Sequence, residues 1–473
     1  MEERNGGAVF LSIDKVKKEK LAALQEDGSS LTYGELADFC GELAGIMEPS
    51  SLVFSLCRNT IGALAGYVAF LSARVVPLLL SDRLDQELLT YLLDTYQPDY
   101  LWVPAGQRQQ FEGKSVCERY GYVLLSFVRE KKEIHKDLAL LLTTSGSTGS
   151  PKLVRQSYTN LEENAKSIAA YLELDATERP ITMLPMNYTY GLSVINSHLL
   201  MGATILVTET SYVQRGFWDF FRKEKATSVV GVPYTYEMLK KLRFFRMDLP
   251  SLRYMTQAGG KLLPELHKEF AEYAQERGKR FYVMYGQTEA TARMSYLPYQ
   301  KSLEKYGSMG IAIPKGKFYL IDVDGTKVKK PHITGELVYE GPNVTMGYAE
   351  CPADLAKGDE RHGVLVTGDM AEFDEDGYYY IVGRKKRFLK IYGNRVNLDE
   401  CERMIQGEFQ TLECACVGSD DHMQIYVTDP SRLEDVNQYI SEKTKLNPHA
   451  FEVKYLNEIP KNEAGKKQYQ ILG

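Results

Sequence analysis

Along most of this chain, short apolar runs alternate with longer stretches whose apolar positions recur at helical spacing. The runs at 51–56, 75–80, 100–103 and 122–126, and again at 204–207, 228–232 and 281–284, have the length and continuity of buried strands. Helical patterns fall between them. Thr32 is placed to cap one, with Glu35 where a capping box requires it, and Leu36, Phe39, Leu43 and Ile46 then share a helical face. The stretch 61–80 is the most apolar, but Gly62, Gly66, Arg74 and Pro77 interrupt it. A membrane span needs about 20 uninterrupted apolar residues. This stretch reads instead as a buried helix followed by a buried strand. The alternation predicts an α/β architecture with substantially parallel strands.

Beyond residue 310, Gly, Pro and Asp become dense and strand-like runs dominate, at 318–322, 335–339 and 378–382, which predicts a β-rich subdomain. The basic run Gly383-Arg384-Lys385-Lys386-Arg387 is followed by a small α+β pattern, with helices near 399–408 and 431–443 and strands near 413–418 and 423–428. A domain boundary is expected at that run, dividing the chain into a large N-terminal domain, 1–385, and a small C-terminal one, 386–473.

Composition narrows the class of function. The 473 residues, 44% hydrophobic and 25% charged, suffice for a sizeable core. A net charge of −6 gives no electrostatic reason to expect nucleic acid or an anionic membrane as partner. The seven cysteines form no CxxC and suit reduced thiols better than a disulfide framework. Cys414 and Cys416 invite a metal reading, but alternate residues of a strand share a face, so core packing is expected. The opening residues are charged and lack an apolar core, which argues against a signal peptide and for a cytoplasmic protein.

The sharpest chemical signal is the run 141–152, in which an apolar strand leads into Thr143-Thr144-Ser145-Gly146-Ser147-Thr148-Gly149-Ser150-Pro151-Lys152. Glycines let backbone amides converge on an anion, hydroxyls add donors, and Lys152 adds charge. The common P-loop is excluded, because no Gly-Lys-Ser/Thr leads into a helix. A flexible Ser/Gly linker rarely sits flush against a buried strand and ends in Pro-Lys.

This run resembles the phosphate loop of the adenylate-forming superfamily, which includes acyl-CoA synthetases, carrier-loading adenylation domains and beetle luciferases. Further segments resemble that family in order along the chain: 31–36, 184–191, 257–260, Tyr285-Gly286-Gln287-Thr288-Glu289, Thr367-Gly368-Asp369, Gly383-Arg384, 390–395 and Gly465-Lys466. The resemblance implies the α/β core expected above, a mobile C-terminal lid, and ATP, magnesium and a pantetheine thiol as reactants. Thr144, Ser145, Gly146, Ser147, Thr148, Gly149 and Lys152 then hold phosphates, and Gly259 and Gly260 flank adenine. Tyr285 stacks on the base, with Gly286 and Gln287 in the same turn. Thr288 donates to the α-phosphate, Glu289 binds magnesium through a hard oxygen, and Asp369 and Arg384 reach the ribose. Lys466 bridges the substrate carboxylate and ATP, where a cation stabilises the meeting of two anions. Lys386 is the hinge. Lys390 and Gly393 belong to the segment that admits the thiol, glycine leaving room for the pantetheine arm.

Some positions depart from the family pattern. Leu153 and Tyr158 stand after the loop lysine, Tyr188 replaces a frequent histidine, and Arg387 replaces a carboxylate after the hinge. Tyr188, Tyr190, Val194, Tyr234 and Gly259 are expected to form an acyl pocket with aromatic walls and few polar groups. The stretch 187–195 contains no carboxylate to pair a substrate ammonium, which favours an aryl or short-to-medium non-amino acid. The expected function is therefore ATP-dependent acyl-adenylate formation followed by transfer to coenzyme A or an acyl carrier protein. The cations from Arg384 to Arg387 suit a nucleotide phosphate or an acidic helix equally. A non-catalytic sensor is the alternative, weakened by the presence of Thr288, Glu289, Asp369, Arg384 and Lys466.

Overall fold

A computed structural model describes residues 10–143, 152–461 and 467–472. Its largest sheet has eight strands, in the order Gly347–Ala349, Leu153–Ser157, Leu138–Thr143, Val76–Ser81, Leu52–Cys57, Tyr100–Pro104, Tyr122–Ser126 and Lys114–Arg119. The central run from Leu138–Thr143 to Tyr100–Pro104 is parallel. Both edges are antiparallel, so the expected parallel arrangement holds only at the centre, and Tyr122–Ser126 pairs antiparallel with Tyr100–Pro104. The reason is connection length: 105–121 holds only a 3-10 turn and a strand, too little for a covering helix. The apolar stretch becomes the buried helix Ile61–Ser72 and the buried strand Val76–Ser81. Thr32 and Glu35 form the capping box of the helix Tyr33–Ile46.

A second sheet carries parallel strands Ser228–Gly231, Tyr254–Gln257 and Arg280–Tyr285, extended antiparallel by two short strands. Helices Tyr158–Leu172 and Thr189–Leu200 pack against each other, and both join the hydrophobic cluster on one face of this sheet. The β-rich region is a five-stranded antiparallel sheet that ends on Val364–Phe373 and Tyr379–Arg384.

The smaller C-terminal domain begins after a 3-10 turn, Lys385–Arg387. A hairpin, Phe388–Ile391 with Asn394–Asn397, leads to a three-stranded sheet and the helices Leu398–Glu408 and Leu433–Thr444. This domain has its own core, into which Cys401, Cys414 and Cys416 point. Apolar packing accounts for those thiols, and among the described residues no three metal-ligating side chains cluster. No described helix is long and apolar enough to cross a membrane.

Candidate active site

The loop 144–151 and Lys466 lie outside the described residues, so the site is built from their surroundings. The strand before the loop and the strand after it are antiparallel neighbours, with Thr143 opposite Leu153. The loop thus leaves the carboxyl end of a central parallel strand, where open α/β sheets bind ligands. Lys152 pairs with Glu350 at 2.6 Å and lies 5.8 Å from the Tyr348 ring centroid.

Tyr285 ends the strand Arg280–Tyr285, and the chain turns immediately at Gly286. A Cβ there would lie 1.6 Å from the Ala292 carbonyl oxygen, so only glycine permits this fold-back. The turn places Thr288 and Glu289 beside the loop's flank. Gln156, on the strand after the loop, donates to the Thr288 carbonyl at 3.3 Å. Glu289 accepts from the Tyr348 hydroxyl at 2.7 Å, and its backbone carbonyl accepts from Thr345. Burial first and the Glu289 charge second push the Tyr348 phenol up to about 12. The second Glu289 oxygen accepts no hydrogen bond among the described residues. A lone carboxylate suits magnesium that arrives on a triphosphate, because that ion keeps several waters and takes the rest of its ligands from phosphate.

Asp369 is buried at 2% exposure, yet three side chains reach it. Tyr285 donates its hydroxyl at 2.5 Å, Gln287 its amide at 2.8 Å, and Arg384 stands at 3.1 Å across the antiparallel pair that sets Asp369 opposite Arg384. Burial and the adjacent Asp369 charge raise the Tyr285 phenol well above its ordinary range. A carboxylate offers about four lone-pair positions. The expected role of Asp369, accepting both ribose hydroxyls, therefore requires one of these donors to give way. Gly259 and Gly260 follow the strand Tyr254–Gln257, and Gln257 donates back to the Gly260 carbonyl at 2.8 Å.

The expected acyl-pocket residues gather around the helix Thr189–Leu200. Tyr188 caps it and meets Tyr190 edge-on, with ring centroids 6.3 Å apart. The Tyr190 hydroxyl is already committed to Thr256, so it serves as wall and packing and offers no free hydroxyl. Val194 is buried beside it. Behind Tyr190 lies a group the sequence reading passed over. The guanidinium of Arg293 sits 4.6 Å from the Tyr190 ring centroid. A buried cation therefore stands behind the aromatic side chains expected to wall the acyl pocket. The signal was present, an arginine four residues after Glu289 and just before the short strand Ser295–Tyr296, but nothing local showed which way it points.

The C-terminal domain meets the site through its tail. Lys461 pairs with Glu413 of its own domain and lies 4.5 Å from the Tyr234 ring centroid in the large domain. Lys466 is flanked by Lys461 and Lys467, and Lys467 is anchored on Glu402. Arg387 departs from the expected open basic hinge: it pairs with Asp399 and Glu402 and stacks 3.7 Å from the Tyr469 ring centroid. Lys385 pairs with Glu336. Lys386 is exposed in the turn. Gly393 and Tyr392 both adopt positive φ at the hairpin tip, so the turn alone accounts for that glycine. Lys390 and Tyr392 are tied through their amides to Asp420 and Asp421. In this arrangement the tail, and not the hairpin tip, reaches Tyr234.

The sequence profile of the AMP-binding enzyme family matches residues 13–349, which include the phosphate loop and Tyr285 to Glu289. The chain belongs to that family. This AMP-binding enzyme is 30% identical over 340 residues to the indoleacetate–CoA ligase of Aromatoleum aromaticum, across 69% of this chain and 65% of that protein. It is 26% identical over 478 residues to the 2-succinylbenzoate–CoA ligase of Bacillus cereus, across 97% and 95% of the two chains. Among solved structures, the o-succinylbenzoate CoA synthetase of Bacillus subtilis in complex with its acyl-adenylate superposes with a TM-score of 0.80. That match covers 98% of this chain and 97% of the other at 20% identity, and it shows a shared fold. The last two alignments extend over the C-terminal domain that the family profile leaves out.

Proposed function

We propose that this enzyme activates a carboxylic acid with ATP and passes the acyl group to the phosphopantetheine thiol of coenzyme A. In the first step a carboxylate oxygen attacks the α-phosphorus, the bond to the β-phosphate oxygen breaks, and pyrophosphate leaves. In the second step the thiol sulfur attacks the adenylate carbonyl, AMP leaves, and the thiol proton passes to solvent. The observation that carries this reading is the cluster of Tyr285, Gln287 and Arg384 on buried Asp369, two residues from Glu289 at the end of one parallel strand. Magnesium bound at Glu289 supplies charge neutralisation on the phosphates. Asp369 orients the ribose, Tyr285 offers its ring face to the base, and Thr288 and Lys152 bind phosphate oxygens.

Residues 386–473 act as a lid in this reading, with Lys386 as the pivot. The contact of Lys461 with Tyr234 supports a lid orientation suited to adenylation, with Lys466, which lies outside the described residues, as the bridging cation in this reading. Thiol transfer then needs a rotation that exchanges this tail for the hairpin of Lys390 and Gly393. Coenzyme A suits the hinge better than a carrier helix, because Lys385 and Arg387 are already paired within the chain. The names of the relatives, indoleacetate–CoA ligase and 2-succinylbenzoate–CoA ligase, point to the same acceptor. Seven free cysteines fit a reducing compartment such as the cytoplasm.

The test is ATP–pyrophosphate exchange over a panel of acids, followed by acyl transfer to coenzyme A or to a phosphopantetheinylated carrier protein. Exchange with at least one acid, and thioester formation with coenzyme A, are expected. ATP binding without exchange for any acid would favour a sensor that kept the fold.

A further inference from the structure

Among the described residues, two arginines have fully buried side chains, and they are neutralised very differently. Arg155 pairs with Glu360 and donates to the carbonyls of Tyr348, Met346 and Gly358. Arg293, at 2% exposure, donates from Nη1 to the Tyr171 hydroxyl at 3.1 Å and to the Met284 sulfur at 2.9 Å. Its Nε is buried without a hydrogen-bond partner, and among the described residues no carboxylate approaches it. Around it stand the rings of Tyr171, Tyr190 and Tyr254. A guanidinium has five N–H donors in a planar fork, and a buried cation left without an anion is strongly unfavourable. Aromatic faces and one phenol compensate only part of that cost.

Resting on the acid activation proposed above, we infer that the acid carries a second carboxylate, remote from the one adenylated, which Arg293 receives at the floor of the acyl pocket. The geometry connects the two ends. Met294, next in sequence, donates to the Tyr285 carbonyl at 2.9 Å, so Arg293 is rooted beside the nucleotide site. Its guanidinium lies against Tyr190, the wall of the helix that begins at Tyr188. A dicarboxylate spanning from the α-phosphate to this floor delivers the missing anion in a desolvated setting, where a planar fork accepts both oxygens. The same cation repels an ammonium, which separates this pocket from those that take α-amino acids.

The test pairs acids of matched skeleton: hexanoate with adipate, and 3-phenylpropanoate with 3-(4-carboxyphenyl)propanoate. Pyrophosphate exchange gives kcat/KM, and thermal shift at saturating ATP reads acid binding independently of turnover. Wild type is expected to favour the dicarboxylate by roughly 10²-fold or more, since sites built around a polar partner reject analogues that lack it. Arg293→Met should erase the preference, and Arg293→Lys should restore part of it, with ATP affinity reporting that each variant is folded. If Arg293→Met does not fold, the wild-type pairs and Arg293→Lys carry the test. Equal use and equal binding of both members of each pair by wild type would overturn the inference and leave acid activation standing. Binding of the dicarboxylates without any exchange would leave the Arg293 contact standing and remove the activation reading.

Discussion

The ammonium of Lys461 lies 4.5 Å from the ring centroid of Tyr234, a cation–π contact that joins the C-terminal tail to the large domain. Partly exposed contacts of this kind contribute about 0.5–1 kcal/mol. Lys461→Met should therefore slow adenylation about two- to five-fold while leaving thiol transfer from a supplied acyl-adenylate unchanged. A double-mutant cycle with Tyr234→Leu should show that the two losses are coupled. Additive losses would mean that the contact does not dock the lid.

Lys466→Ala should lower adenylation by about 10²–10³-fold, the usual cost of removing one electrostatic stabiliser of a transition state. Thiol transfer should be spared, because the proposed lid rotation would withdraw the tail before that step. Single-turnover measurements of each half-reaction decide it, and equal losses in both would remove Lys466 from this role.

Glu402 is the electrostatic centre of the lid. It is 5% exposed and receives Arg387 and Lys467 at 2.6 Å each, the Tyr469 hydroxyl at 3.1 Å and the Cys416 amide at 2.8 Å. Glu402→Leu leaves two half-buried cations without this partner, Arg387 keeping only Asp399, and should destabilise the lid by about 1–3 kcal/mol. Hydrogen exchange should show faster opening confined to residues after the hinge, with adenylation falling because Lys467 no longer holds the tail. Unchanged protection there would show that the ion network is dispensable.

His198 makes stability depend on pH. Its Nδ1 lies 2.7 Å from the Val194 carbonyl, which can only accept, so the proton resides on Nδ1 and bare Nε2 accepts from the Tyr254 hydroxyl at 2.7 Å. Burial lowers its pKa from 6.5 to about 4. The unfolded chain then binds a proton that the folded chain refuses. This contribution to stability is present above pH 6.5 and is lost as the pH falls towards 4, to about 3 kcal/mol in all. Urea denaturation of wild type and His198→Gln at pH 7 and pH 4.5 should show wild type losing more of its stability. Parallel losses would mean that His198 titrates normally.

Much of this architecture follows from local pattern. The capping box at Thr32 and Glu35, the buried helix Ile61–Ser72, and the order of motifs from 141 to 466 are legible because each rests on residues close together in sequence. Glycine at 286 is fixed by backbone sterics within one turn, and that too can be read from the motif. The family and the α/β class belong to this part. What only the tertiary structure decided involves partners far apart in the chain. Tyr348 holds Glu289 across 59 positions, from a short edge strand with no signal of its own. Arg387, basic by composition, is neutralised by carboxylates on the next helix. Asp369 is engaged by residues from two other strands and from the turn that follows Tyr285. Arg293 differs from a surface arginine only in direction, and direction is set by how Gly286 folds the chain back against the helix Thr189–Leu200. Charge is written in sequence, but whether a charge is solvated, paired or left waiting for a ligand depends on what packs around it.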